Sequence, residues 1–303
     1  MKKLVFSSLN IDRIYNMERF IRPGETTAAL EYSYSCGGKG FNLAMAMAKA
    51  GEKIYFAGAI GPDGEAFEKA FSEYEIDTTY LRHSQKMCGH AVVQVDASGQ
   101  NCIIVVKGAN DDIPKQYIDE VLEHFDRNDV IILQNEAGPV DYLIEKAHER
   151  GMKVAFNPSP INEMIARCDL SHVDYLFINE GEGEILSGEK GDDSILQALH
   201  TKWPDQTIVL TLGSRGGICM LPDGKKEVCG ILETTAVDTT AAGDTFAGYF
   251  LAEFLRGSDT GHALKTAAAA SGISVSRKGA AQSIPCMQEV RSVDFTKITE
   301  FKN

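Results

Sequence analysis

The stretch AVDTTAAGDTFAGYF, residues 236–250, gathers the groups best placed to do chemistry. Apolar residues recur at helical spacing from about Ala242 and stop at Gly257. Ala241, Ala242 and Gly243 therefore stand at a helix entry where no large side chain covers the free amides. Bare N–H groups and the positive end of a helix dipole make an anion cradle. It suits a phosphate, or the charge that develops as one is transferred. Asp244 lies in the first turn beside it. A carboxylate is a poor ligand for phosphate but a reasonable base for an attacking hydroxyl. On this stretch alone an ordinary helix start explains the acid as well, since acids favour the first turn.

Other clusters have the same flavour. NIDRIY places Asn10 and Asp12 just past a first strand, and GGKG (37–40) with Asn42 opens a helix after a strand. NEGE (179–182) follows the strand YLFI, TLGSRGG (211–217) is a strand-to-turn glycine cluster, and SRKGAAQS (276–283) is a late basic loop. Most sit at strand ends or helix starts, where open α/β sheets bind ligands. The commonest nucleotide loops are absent. Gly38-Lys39 is followed by Gly40, which breaks a Walker A pattern, and Leu43 stands where a dinucleotide fingerprint needs glycine. A nicotinamide dehydrogenase is thereby disfavoured.

The elements that must position these groups alternate. Residues 2–8, 53–60, 129–134, 153–158, 175–179 and 207–213 read as strands, several nearly continuously apolar, as in sheets buried on both faces. Helical stretches lie between them, in KGFNLAMAMAKAG, EAFEKAFSEY, PKQYIDEVLEHF, PVDYLIEKAHERG and DSILQALHTKW. This is the rhythm of a doubly wound α/β sheet. Residues 26–35 alternate like a half-exposed strand, and 89–107 read as two strands around DASGQ. Together they predict a small antiparallel sheet projecting from the main one, a lid or a dimer surface or both.

Composition narrows the classes. The 303 residues are 44% apolar, enough for one large α/β domain. No run approaches a membrane span. The start MKKLVFSS turns polar too soon for a signal peptide and reads as a strand. The formal charge of −13, with no Lys/Arg cluster, disfavours a nucleic-acid binder. Seven cysteines without CxxC spacing disfavour a metal cluster or disulfide framework and suit a reducing cytosol.

The chain resembles the ribokinase-like (PfkB) carbohydrate kinases over nearly its whole length, and the ribokinases among them most. The likeness is carried by GGKGFNLA and AVDTTAAGDTFAGYF. Between and after these come NPSP (157–160), NEGE, TLGSRG and RKGAAQSIP (277–285). It implies a three-layer αβα sandwich with a mainly parallel sheet, one kinase domain over 1–303, and a discontinuous β-lid from about 10–35 and 89–107. It also implies ATP and Mg²⁺ as cofactors, with K⁺ as a third, a sugar substrate, and a homodimer through the lid. By resemblance, Asp244 matches the catalytic base and Ala241, Ala242 and Gly243 the anion hole. Asn10, Asp12, Gly38, Lys39, Asn42 and Glu136 match sugar-binding positions. Asn179 and Glu182 match an element near Mg²⁺ and the phosphates, while Thr211, Gly213 and Ser214 lie where the family binds ATP. Asp238 and Thr240, with Ser274, Arg277, Gly279 and Ser283, match a monovalent-cation site.

Departures fall on the sugar side. Phe41 and Leu43 flank Asn42 where smaller or polar residues are usual, Ser7 stands where glycine is usual, and IGPDGEAF is short. KGAN (107–110) is again ribokinase-like. The expected reaction is transfer of the ATP γ-phosphate to a primary hydroxyl of a furanose, D-ribose giving ribose 5-phosphate. A kinase of the same fold for another sugar or a nucleoside, and a silent sugar or nucleotide sensor, are the rival readings.

Overall fold

The structure is a computed structural model that describes residues 1–301. Nine strands form the main sheet: β1 (Lys3–Phe6), β4 (Ile54–Ile60), β5 (Asp77–His83), β8 (Val130–Gln134), β9 (Lys153–Asn157), β10 (Tyr175–Asn179), β11 (Thr207–Thr211), β12 (Gly217–Met220) and β13 (Lys226–Cys229). Their order is β13-β12-β11-β10-β9-β8-β1-β4-β5. Only β12 and β13 run antiparallel to their neighbours. The strand order reverses direction at β1, which pairs in parallel with both β4 and β8. Such a switch point opens a crevice at the carboxyl ends of the strands.

Alternation along the buried strands assigns each face a layer of helices. Val5, Val130 and Ile132 join a core with residues of α1 (Lys39–Lys49), α2 (Glu65–Glu73), α7 (Ala242–Arg256) and α8 (Thr260–Val275). Leu4, Phe6, Ile131 and Leu133 join the opposite core. There they meet α3 (Lys115–Leu122), α4 (Val140–Glu149) and α6 (Asp192–Lys202). The result is the expected αβα sandwich. The alanine-rich α8 was not anticipated as an element. It lies against α7 and β13, and an element buried on most sides carries no amphipathic stripe to read. The single tryptophan, Trp203, ends α6 and packs into the α3/α4/α6 core.

Two close approaches hold α7 in register. A methyl group at Gly248 would come within 2.5 Å of the Ala46 Cβ, so glycine lets α7 lie tightly on α1. The Tyr249 hydroxyl donates to the Pro285 carbonyl at 2.5 Å in the core behind α7.

A separate four-stranded sheet has the order β3-β2-β6-β7, from β2 (Asn10–Asn16), β3 (Glu31–Gly37), β6 (Gly89–Val95) and β7 (Asn101–Val106). The 89–107 hairpin falls where expected. The strand expected over 26–35 instead begins at Glu31, and Asn10 and Asp12 sit within a strand of their own. The reason is backbone pairing: β2 ends at Asn16, which pairs with Glu31 and accepts from the Leu30 amide, so residues 26–29 have no ladder to join. This sheet is also not purely antiparallel, since β2 and β6 run parallel. Its surface carries exposed Tyr32, Tyr34, Ile104 and Val105.

Candidate active site

The entry to α7 is unusual in its backbone. Ala241 adopts a left-handed conformation, φ 61 and ψ 11, and caps the helix with no side-chain bond. A residue with a Cβ rarely sits there, and such strain gathers at functional sites. The Ala242 amide donates to the Thr239 carbonyl at 3.2 Å and that of Thr245 to Ala241 at 2.8 Å. The amides of Gly243 and Asp244 have no acceptor among the described residues. Of the residues anticipated for the cradle, Ala242 has its amide engaged, while the Gly243 amide and that of Asp244 beside it are free.

Asp244 lies beside these amides and is 7% exposed. The Asn42 amide nitrogen donates to its Oδ2 at 3.1 Å, across from α1. Burial pushes the carboxyl up to about 6, against the opposing pull of Lys39 and Asn42. Burial works to lower the Lys39 ammonium, but the carboxylates of Asp244, Glu136 and Glu182 outweigh it and raise its pKa. Lys39 is thus a cation set among three acids.

Asn10 and Asp12 alternate on β2 and share one face. Burial, then the nearby Glu136, pushes the Asp12 carboxyl up to about 6. Glu136 follows β8 and accepts from the Lys39 amide at 3.0 Å and from the Ser8 hydroxyl. Gly38 (φ 90) turns β3 into α1, and a Cβ there would meet the Asn10 amide nitrogen at 2.9 Å. The expected sugar-side residues therefore converge, although β2, α1 and the loop after β8 are far apart in the chain.

On the phosphate side, Lys39, Asn179, Glu182, Thr211, Gly213 and Asp244 all line one cavity of about 340 Å³. A second cavity of about 350 Å³ adjoins it, sharing Thr211, Gly213, Ala242 and Gly243. Ser214 lies in this second cavity, whose walls include Ile231, Leu232, Ala268 and Val275. A flat aromatic base fits such an apolar slot. Asn179 and Glu182 hold each other in a capping box at the start of α5 (Glu180–Ser187). The Asn179 Oδ1 accepts from the Glu182 amide at 2.9 Å, and Glu182 Oε2 from the Asn179 amide at 3.0 Å. That leaves Glu182 one oxygen for other work.

Asp238 joins two segments. Its Oδ1 accepts from the Thr240 amide at 2.9 Å and hydroxyl at 2.6 Å, and its Oδ2 from the Gly279 amide at 3.0 Å. Burial opposes its charge, yet these bonds hold the carboxyl below its usual range. The Ser274 and Ser283 hydroxyls lie 2.7 Å apart. The Arg277 guanidinium turns away to Glu289 at 2.5 Å, so only the Arg277 carbonyl could face a cation. Carboxylate, hydroxyl and carbonyl oxygens are the hard donors a group I ion takes, so the set fits one. For a divalent ion the match is smaller. No group of three or more His, Cys, Asp or Glu able to hold a metal occurs among the described residues. The free oxygen of Glu182 fits an Mg²⁺ that arrives on nucleotide phosphates.

Sequence reasoning missed two supporting residues, Ser8 and Asn110. Ser8 is fully buried and holds Glu136. Asn110 is 2% exposed and bonds Leu9 and Asn10. KGAN was noted as a motif, but nothing local tells that its asparagine faces a strand 100 residues earlier.

Comparison with known proteins bears on the family and the fold. Residues 2–287 match the pfkB family carbohydrate kinases. A ribokinase of Haemophilus influenzae is 35% identical over 294 residues, covering 94% of this chain and 95% of the relative. A deoxyribokinase of Salmonella typhi is 31% identical, covering 94% and 96%. The solved structure of Arabidopsis thaliana ribokinase complexed with ribose and ATP superposes with a TM-score of 0.84 at 29% identity, covering 96% and 97%. No helix among the described residues is long and apolar enough to cross a membrane. The chain is a member of the pfkB carbohydrate kinase family, a phosphotransferase with an alcohol group as acceptor.

Proposed function

We propose that this kinase transfers the γ-phosphate of ATP to O5 of D-ribose, giving ribose 5-phosphate and ADP, with Asp244 as base. One observation supports the reading. A buried carboxylate, bonded by Asn42 and among the charges of Lys39 and Glu136, stands beside two unpaired helix amides.

Asn10, Asp12 and Glu136 hold the furanose hydroxyls, with Gly38 allowing close approach. Asp244 takes the O5 proton as that oxygen bonds the γ-phosphorus. The bond from the γ-phosphorus to the β,γ-bridging oxygen breaks, and ADP departs. The Gly243 and Asp244 amides stabilise charge on the transferred group, and Lys39 balances the acids around it. Thr211, Gly213 and Ser214 line the nucleotide path. Glu182 would help hold Mg²⁺, which would supply charge neutralisation on the phosphates. Asp238, Thr240, Ser283, and the carbonyls of Ser274, Arg277 and Gly279 would hold K⁺ and set the loop behind the anion hole.

The small sheet acts as a lid within one kinase unit and excludes competing water. Its exposed Tyr34 and Ile104 support a homodimer through the lid. Seven free cysteines suit a cytoplasmic setting. The deoxyribokinase match favours 2-deoxyribose as the second acceptor to test.

The test is ADP release with Mg·ATP and KCl over ribose, 2-deoxyribose, fructose and nucleosides. Ribose should give the highest kcat/KM, and NaCl in place of KCl should lower the rate. Turnover confined to a nucleoside or hexose would discard the ribose assignment and keep the phosphate side.

A further inference from the structure

Three of the four passages of the chain between the main body and the small sheet run close to Asn110. The passages are Leu9–Asn10 into β2, Gly37–Gly38 out of β3, Cys88–Gly89 into β6, and 107–110 out of β7. A Cβ at Gly89 would lie 2.1 Å from Asn110 Nδ2 and 2.3 Å from Asn10 Oδ1, which marks how tightly the first, third and fourth meet. The Asn110 carbonyl also accepts from the Gly138 amide at 3.0 Å, in the loop that carries Glu136.

The bonds of Asn110 fix its own polarity. The Leu9 amide can only donate, so the atom it meets at 2.9 Å is Oδ1. The Leu9 carbonyl can only accept, so the atom 3.1 Å from it is Nδ2. The same Nδ2 donates its second hydrogen to Asn10 at 2.8 Å. The Asn10 atom facing it must therefore be oxygen. Asn10 cannot flip without setting two amide NH₂ groups against each other in a buried place. Its own Nδ2 is left turned away from Asn110, without a partner among the described residues.

We infer that Asn110 is a positioning residue that turns the Asn10 amide nitrogen towards the sugar as a hydrogen-bond donor. This rests on the sugar-kinase reading above. It adds a polarity to the pocket: Asp12 and Glu136 accept from hydroxyls, while Asn10 donates to an oxygen lone pair. A pocket with both polarities discriminates a hydroxyl from hydrogen at that position more sharply than one with acceptors alone.

The experiment is a double-mutant cycle of Asn110→Ala and Asn10→Ala, read as KM for sugar and KM for ATP in the intact protein. Each single variant should raise the sugar KM about tenfold or more, with the ATP KM within about twofold. The double variant should be no worse than the worse single one. Unchanged sugar KM in Asn110→Ala, losses that multiply, or an equal loss in ATP would overturn the inference. Should Asn110→Ala fail to fold, Asn10→Asp carries the test. It keeps the inward oxygen and removes the outward donor, at the cost of a further buried carboxyl beside Asp12 and Glu136, so the sugar KM should rise while the ATP KM stays within about twofold. An unchanged sugar KM there overturns the inference. Wild-type turnover tests the function itself. The ratios between variants test Asn110 on whichever sugar the wild type uses.

Discussion

Asp244 carries two properties that pull against each other. Burial makes it a stronger base, with its carboxyl raised to about 6, and makes its charge costly. Asp244→Asn should lower kcat by about 10²–10⁴ with little change in ATP affinity, measured by ADP release and nucleotide titration. The wild-type rate should fall as pH drops through about 6, as Asp244 protonates. Stability runs the other way. Because the folded pKa lies above the unfolded value near 3.8, the folded state holds more protons between about pH 4 and 6. Asp244 thus costs stability that grows as pH rises through that window. Asp244→Asn should melt at a higher temperature than wild type at pH 7.5, the gap closing towards pH 4. Equal melting at both pH values would contradict this account.

At the scale of elements, the meeting of α1 and α7 sets the Asn42–Asp244 bond, and Gly248 sets that meeting. Gly248→Val should destabilise the fold by about 1–3 kcal/mol and lower kcat more than it raises either KM. Calorimetry with steady-state kinetics reads both. Much of this level was legible in the sequence. The strands around β1 announce themselves as apolar runs, and the bare helix entry at Ala241–Gly243 follows from residue size alone. Asn10, Lys39 and Glu136 were reached by resemblance, because their meeting depends on pairings such as β1 with β8 that no local pattern encodes. The α8 helix was hidden by its uniform burial, and the start of β3 by a ladder that depends on where β2 ends. Asn110 was hidden for the same reason at the level of one side chain: its partners are 100 and 101 residues away.

Across the whole molecule, the small sheet leaves an apolar surface that a second copy could cover. Ile104 is 61% exposed and Tyr34 67%. Ile104→Glu should convert a dimer to a monomer in light scattering, and raise the sugar KM if the partner steadies the lid. A wild-type monomer would end the proposal. Trp203 has a practical consequence of its own. It terminates α6, whose first turn at Asp192 lies by the carboxyl end of β11 near Arg215. The eleven residues of α6 carry the chain from Asp192 to Trp203, about 16 Å of rise, so the indole lies towards the opposite end of the sheet from the site. Excited at the indole band, this protein has one emitter, walled into the α3/α4/α6 core. Its emission will follow loss of that core and stay quiet as ligands come and go, while tyrosines 15, 32 and 34 are the residues through which the small sheet would give an optical signal.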